Sequence, residues 1–317
     1  MKHQSHAKAA RCRALLVAAL VVLPAVLHGQ AATQDATPMI GTLPIPEGVK
    51  VVPDIVYREG ESEAWRLDLA MPEEPGEEPR PALVFIHGGG WRSGDKRRVA
   101  FLGPTLEYAT KGYVCITVEY RLVDEAPLPA CIEDVKCAVR WLRAHAQDYN
   151  VDPDRVGAYG NSAGAHLAAM LALCPPTAGL DAEGPWQEHS SMVQAAVCSA
   201  TPADFTAMGR RRPGAARARA SRFGGPEETL EERMRQASPA TYVSAEAPPL
   251  LLIHGTEDRT VPVSQSDDLV KALRQAGAKD VTYMRIEGAG HGVFRQHIEE
   301  TGPAMEAFFE RTLKGKD

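Results

Sequence analysis

Six apolar runs in this 317-residue chain lack the polar alternation of a half-exposed strand: Ala82–Ile86, Tyr113–Val118, Arg155–Tyr159, Val193–Ser199, Leu250–Ile253 and Val281–Ile286. Unbroken short runs of this kind belong to strands covered on both faces, the condition of a parallel sheet. Helical segments fall between and after them, at roughly 97–111, 130–149, 163–174, 264–277 and 296–313. In the second, Cys131, Val135, Ala138, Val139, Leu142 and Ala146 recur at three and four residues and form one apolar stripe. Ahead of them, Val51–Tyr57 and Ala64–Ala70 alternate and read as an antiparallel edge hairpin, followed by an acidic, Pro-rich loop over Pro72–Pro81. The order predicts an α/β fold: a mostly parallel sheet of about eight strands, with right-handed crossovers and helices on both faces.

Residues 1–13 are polar and basic, Ala14–Leu27 is apolar apart from Pro24, and Gly29-Gln30-Ala31 places small residues where a signal peptidase reads. Residues 1–31 are therefore expected to be a signal peptide, since the run is short of the ~20 apolar residues a membrane span needs. Residues 32–48 read as an extended lead-in, and 49–317 as one domain near the upper size of a single core. With 44% hydrophobic and 24% charged residues, disordered and coiled-coil classes are excluded. The net charge is −6, and removing the basic leader takes it to about −10. A surface that negative repels phosphate backbones and anionic lipid heads, so no nucleic-acid partner is expected, nor a membrane after signal cleavage. The expected location is secreted or periplasmic. Five cysteines follow the leader, at 115, 131, 137, 174 and 198, and read as buried free thiols. No Cys/His spacing resembles a zinc site.

Segment 201–247 breaks the strand–helix rhythm and reads as a lid inserted over the carboxyl edge of the sheet. It holds Arg210, Arg211, Arg212, Arg217, Arg219 and Arg222, followed by Glu227, Glu228, Glu231 and Glu232. The cluster reads either as self-pairing charges on a solvated lid or as a basic rim for carboxylate-bearing polymers.

Gly160-Asn161-Ser162-Ala163-Gly164 directly follows one strand and opens a helix, which is the context a G-x-S-x-G nucleophile elbow requires. The turn holds the serine in a strained conformation, so the residues two before and two after it must be small. His87-Gly88-Gly89-Gly90-Trp91 ends the third strand, where backbone N–H groups can face a developing oxyanion. Gly89, Gly90 and Ala163 are the candidate donors. A serine hydroxyl needs a base, and the base an orienting acid. Of ten histidines, His291 lies in a glycine-flanked loop after the last strand, at the edge where Ser162 stands; His166, on the elbow helix, reads as a packing residue. Asp258 and Glu257 compete as the acid in the loop after Leu250–Ile253. Asp258 is preferred because Val261-Pro262 fixes the loop beyond it and the order Ser162, Asp258, His291 suits a hydrolase. Trp91, Trp186, Phe223 and Phe294 are candidates to line an acyl or sugar site, or to pack the core and lid.

The stretches HGGGW, Val118-Glu119-Tyr120-Arg121-Leu122, GNSAGAHLA, HGTEDRTVP and GAGHGVF resemble the α/β-hydrolase esterases. They stand close to the secreted feruloyl/acetyl-xylan esterase-like branch beside the hormone-sensitive-lipase group. The resemblance runs from about Val49 to Leu313. It implies a Ser162–Asp258–His291 triad, oxyanion donors at Gly89, Gly90 and Ala163, no metal or organic cofactor, and an ester substrate such as acylated xylan or a related oligosaccharide. The segment carries Glu119 where such proteins often have Asp. General short-chain carboxylesterase, aromatic-polyester hydrolase and arylformamidase-like amidase are alternative activities, and an inactive hydrolase-fold binding module is the alternative outside catalysis.

Overall fold

The computed structural model describes residues 37–181, 184–208 and 221–315. The leader, residues 32–36, and Arg210, Arg211, Arg212, Arg217 and Arg219 of the basic cluster lie outside them. The end of the lead-in is a small hairpin, β1 (Met39–Ile40) paired with β2 (Leu43–Pro44). Packing accounts for it: Ile40 and Leu43 meet Leu102 and Leu106 of α1 (Val99–Thr110), a tertiary contact with no local periodicity to reveal it.

The main sheet has eight strands: β3 (Val49–Val56), β4 (Arg66–Pro72), β5 (Arg80–Ile86), β6 (Val114–Val118), β7 (Val151–Asn161), β8 (Ala195–Ser199), β9 (Leu250–Gly255) and β10 (Val281–Ile286). Their spatial order is β10-β9-β8-β7-β5-β6-β4-β3. β4 pairs antiparallel with both β3 and β6, and all other pairings are parallel. Strand β5 shows the double covering that its unbroken apolar run predicts. Ala82, Val84 and Ile86 join the core beneath α2 (Ala130–Ala144) and α3 (Ala163–Leu173), while Leu83 and Phe85 join the opposite core with α1. β10 departs from that expectation: its residues are half-buried or exposed, because it is the sheet's edge.

Further α-helices among the described residues are α4 (Leu230–Gln236), α5 (Ser264–Ala276), α6 (Val293–Gln296) and α7 (Ile298–Lys314). The helix expected over 296–313 is thus preceded by a separate turn, with His297 at φ −120° between them. Helix α2 ends at Ala144, earlier than expected, and it is not amphipathic in the simple sense. Asp134, Lys136, Arg140 and Arg143 on its polar side are all buried, because loop residues cover them. Asp181 pairs with Arg140, and Ser191 lies 3.0 Å from Lys136 Nζ. The described part of segment 201–247 is firmly docked: Phe205, Phe223, Met234 and Ala237 are buried in the core shared with α3. The five cysteines after the leader are buried and free.

Candidate active site

β7 ends at Asn161 and α3 begins at Ala163, so Ser162 alone makes the turn. It does so at φ 57° and ψ −119°, a conformation that costs a non-glycine residue on the order of 1–3 kcal/mol unless its surroundings impose it. Close packing imposes it. A Cβ on Gly160 would stand 2.2 Å from the carbonyl of Gly164, and one on Gly164 would stand 2.0 Å from the carbonyl oxygen of Ile86. The Ser162 N–H donates to Ser199 O at 2.8 Å, tying the turn to the end of β8.

The loop after β10 brings His291 to this turn. Its Nε2 lies 3.0 Å from Ser162 Oγ, and its Nδ1 lies 2.7 Å from Asp258 Oδ2. Residues 129 and 33 positions from His291 in sequence thus meet on its two ring nitrogens. Asp258 Oδ1 accepts the backbone N–H groups of Thr260 and Val261 at 2.8 and 2.9 Å. Burial works to raise the Asp258 carboxyl, but the hydrogen bonds from His254, His291, Val261 and Thr260 outweigh it and hold the group well below the usual carboxylate range. Glu257, the competing acid, is exposed and meets this region only through its backbone N–H, which donates to Ala289 O.

His254 is a member that sequence reasoning did not single out. It is buried, with Nε2 3.3 Å from Asp258 Oδ2 and 3.0 Å from Val261 O, and with Nδ1 2.6 Å from Ser266 Oγ. Its one sequence signal is its place four residues before the acid, at the end of β9.

The glycine loop after β5 faces Ser162. Gly89 has φ 134°, and a Cβ there would fall 1.7 Å from Ser93 O; Gly90 has φ 64°. Only glycine holds the first of these. Ala163 starts α3, where the helix leaves its first N–H groups unsatisfied. Among the described residues, no backbone hydrogen bond engages the N–H of Gly89, Gly90 or Ala163. The VEYRL segment braces this loop from behind. Glu119 meets His87 Nε2 at 3.0 Å with one oxygen and accepts the Lys96 N–H at 2.9 Å with the other. Tyr120 stacks on the His87 ring at 4.3 Å and donates from its hydroxyl to His87 O. The Glu at 119 reaches both ends of the loop, a role its position alone did not reveal.

Ser162, His291 and the three glycines Gly88, Gly89 and Gly90 open into a cleft of about 580 Å³. Its apolar lining among the described residues is Val99, Ala100, Phe101, Tyr159 and Phe294, and of its three aromatic rings only Phe294 was among the four aromatic candidates. The other three do not line it. Trp91 is buried, donating from Nε1 to His166 Nδ1 at 3.2 Å and packing on Phe205. Phe223 is buried against Phe205 in the docked insertion. Trp186 belongs to the loop over α2, with its ring against His145 and its Nε1–H on Tyr57 O. Phe101 and Tyr159 were missed because each sits within a regular element whose inward-facing rings are indistinguishable from core in sequence.

His166 is a packing residue of an exacting kind. Its Nε2 lies 2.7 Å from Ala237 O while Nδ1 accepts from Trp91, so it pins the glycine loop, α3 and the insertion together. Burial lowers its pKa to about 4, against a smaller opposing pull from the Ala237 carbonyl, and keeps the ring neutral. Among the described residues there is no group of three or more His, Cys, Asp or Glu side chains able to hold a metal ion. The site can take a proton from Ser162, hold it on His291 beside an ionised Asp258, and offer backbone N–H groups to an adjacent oxygen.

A family model described as BD-FAE matches residues 67–273. Esterase LipC of Mycobacterium tuberculosis is 32% identical over 254 residues, covering 78% of this chain and 62% of the relative. Esterase LipQ of the same organism is 34% identical over 264 residues, covering 75% and 56%. The chain thus spans about half to three fifths of the length of these curated relatives. Among solved structures, a truncated form of a carbohydrate esterase from gut microbiota is similar with a TM-score of 0.73 and 27% identity, covering 83% of this chain and 96% of that one. Esterase 2 of Thermogutta terrifontis is similar with a TM-score of 0.68 and 28% identity, covering 84% and 92%.

Proposed function

Because the chain belongs to the BD-FAE family and has the α/β-hydrolase fold of the esterase structures it resembles, we propose that it is a serine carboxylic-ester hydrolase. The observation that carries this reading is the unbroken chain of hydrogen-bonded groups from Asp258 through His291 to Ser162, open to a cleft that Gly89 and Gly90 line. In this reading Ser162 Oγ attacks the ester carbonyl as His291 Nε2 takes its proton. Asp258 holds Nδ1–H, sets the tautomer and stabilises the imidazolium. The N–H groups of Gly89, Gly90 and Ala163 receive the negative oxygen of the tetrahedral intermediate, where each such donor contributes about 3–4 kcal/mol. His291 then gives its proton to the leaving alcohol, and an acyl group remains on Ser162. Water, deprotonated by the same imidazole, releases the acid.

The substrate in this proposal is an acetyl or feruloyl ester of plant cell-wall polysaccharide, and the leader exports the enzyme to meet it. Similarity to a carbohydrate esterase supports the polysaccharide side, and the Phe101–Tyr159–Phe294 wall can take an aromatic acyl group. The similarity to LipC and LipQ favours a second reading, a general short-chain carboxylesterase. Initial rates on 4-nitrophenyl acetate, butyrate and octanoate, methyl ferulate and acetylated xylan, with Ser162→Ala as blank, separate the two. Release of acetate or ferulate from the natural substrates supports the polysaccharide reading. Cleavage of nitrophenyl esters alone leaves the general esterase, and Ser162→Ala with undiminished activity would sink both.

A further inference from the structure

The cleft carries charge of one sign. Apart from His291, its charged lining among the described residues consists of Arg98 and Arg295, with no aspartate or glutamate. The two arginines share this lining with the aromatic wall. Tyr159 lies 6.2 Å from Phe101 and 4.9 Å from Phe294 between ring centroids. Arg98 stands three residues before Phe101, at the start of α1, and Arg295 follows Phe294 on α6. Both are exposed.

Their lack of side-chain partners sets them apart from the other exposed arginines among the described residues, in a molecule whose sequence has an excess of acids and a net charge of −6. Elsewhere on the surface, Arg66 holds Glu63 at 2.7 Å, Arg92 holds Asp124 at 3.0 Å, Arg285 holds Asp267 at 3.2 Å and Arg311 holds Asp280 at 2.6 Å. Arg97, next to Arg98, lies 2.7 Å from both Asp54 and Asp68. Neither the Arg98 nor the Arg295 side chain has an ion-pair or hydrogen-bond partner among the described residues. A neutral ester covering two guanidinium groups would shed some of their water and return nothing for it. A substrate with its own carboxylate would exchange that water for charge-assisted hydrogen bonds in the forked geometry that arginine offers.

We infer that this cleft selects esters carrying a carboxylate on the acyl or the alcohol part, with Arg98 and Arg295 as its receptors. The inference rests on the reading of the cleft as an ester-hydrolase site and names the class of ester it takes. The carboxylate can come from two sources: the acid half of a dicarboxylic half-ester, or an alcohol that is itself an acid, such as a hydroxybenzoate or a uronic-acid sugar.

Matched pairs test it on the full chain. On the acyl side, kcat/KM is compared for 4-nitrophenyl hemiglutarate and the 4-nitrophenyl ester of glutaramic acid. On the alcohol side, 4-acetoxybenzoate is compared with 4-acetoxybenzamide. The wild type should prefer the anionic member of at least one pair by about five-fold or more, and the pair that responds identifies the source. Arg98→Gln and Arg295→Gln should each cut that preference about 3- to 5-fold, mainly through KM. Arg→Lys should restore part of it, and raising the ionic strength from about 0.05 to 0.5 M should shrink it. Equal rates within both pairs would overturn the inference, as would arginine variants that leave the preference untouched. Neutral esters still cleaved by the wild type and not by Ser162→Ala would show that the hydrolase reading survives that failure. Turnover of none of the four would overturn both.

Discussion

Replacing Asp258 by Asn changes one atom and reverses the polarity of one hydrogen bond. Four donors converge on the carboxylate: the N–H groups of Thr260 and Val261 on Oδ1, His291 Nδ1 on Oδ2, and His254 Nε2 at 3.3 Å from Oδ2. An asparagine must keep its oxygen toward Thr260 and Val261, because the reverse orientation would set an NH₂ against two backbone donors that cannot change. Its NH₂ then faces His291 Nδ1, which answers by giving up the proton there and carrying it on Nε2. The ring now points an N–H at Ser162 Oγ, 3.0 Å away, and no longer accepts its proton. Loss of the working tautomer with geometry intact costs about 10⁴-fold in kcat, or about 5.5 kcal/mol. The assay is initial rates on 4-nitrophenyl butyrate at pH 7.5, with melting temperature as the fold control. Glu257→Gln, an exposed neighbour, should stay within about two-fold of wild type. An Asp258→Asn enzyme within ten-fold of wild type, or a Glu257→Gln loss of the same size, would refute the assignment of the acid.

Further outcomes follow from particular contacts. Gly164→Ala places a methyl 2.0 Å from Ile86 O, so the elbow and the end of β5 must part by about an ångström; kcat should fall about 100-fold and stability by about 1–3 kcal/mol, read by kinetics and chemical denaturation. His254→Phe removes a donor from Asp258 and strands the buried Ser266 hydroxyl; about ten-fold in kcat should be lost, and an unchanged rate would show that the remaining three donors suffice. His166 titrates near 4 in the fold, against about 6.5 in the unfolded chain. Its depressed value means that the unfolded state takes up the proton first, so stability present above pH 6.5 is lost as pH falls toward 4, by about 3 kcal/mol in total. Denaturation midpoints across that window should fall less steeply in His166→Gln, and parallel slopes would refute the linkage.

What was legible in the sequence was whatever a few adjacent residues decide among themselves. Gly160 and Gly164 abut, and Gly89 adopts φ 134° against Ser93, so backbone geometry in each motif leaves little choice of residue and the pattern survives as text. The unbroken run Ala82–Ile86 records two cores because its alternate residues enter both. The aromatic side chains obey no such local rule. Trp91 follows the glycine loop directly, yet His166, 75 residues away, takes its Nε1–H and turns it into the core. Trp186 is drawn to the far end of α2 because that helix buries Lys136, Arg140 and Arg143, and the loop that satisfies them carries the tryptophan with it. The cleft is lined instead by rings that α1 and β7 turn toward it, together with Phe294 of α6. The same distinction explains why the sequence alone favours Asp258 over Glu257. The preference rested on Val261-Pro262, and in the fold Val261 supplies one of the two N–H groups on Oδ1 as well as the carbonyl that His254 holds. A residue three positions away therefore fixes which acid turns inward, and local chemistry of that range is what a sequence can display.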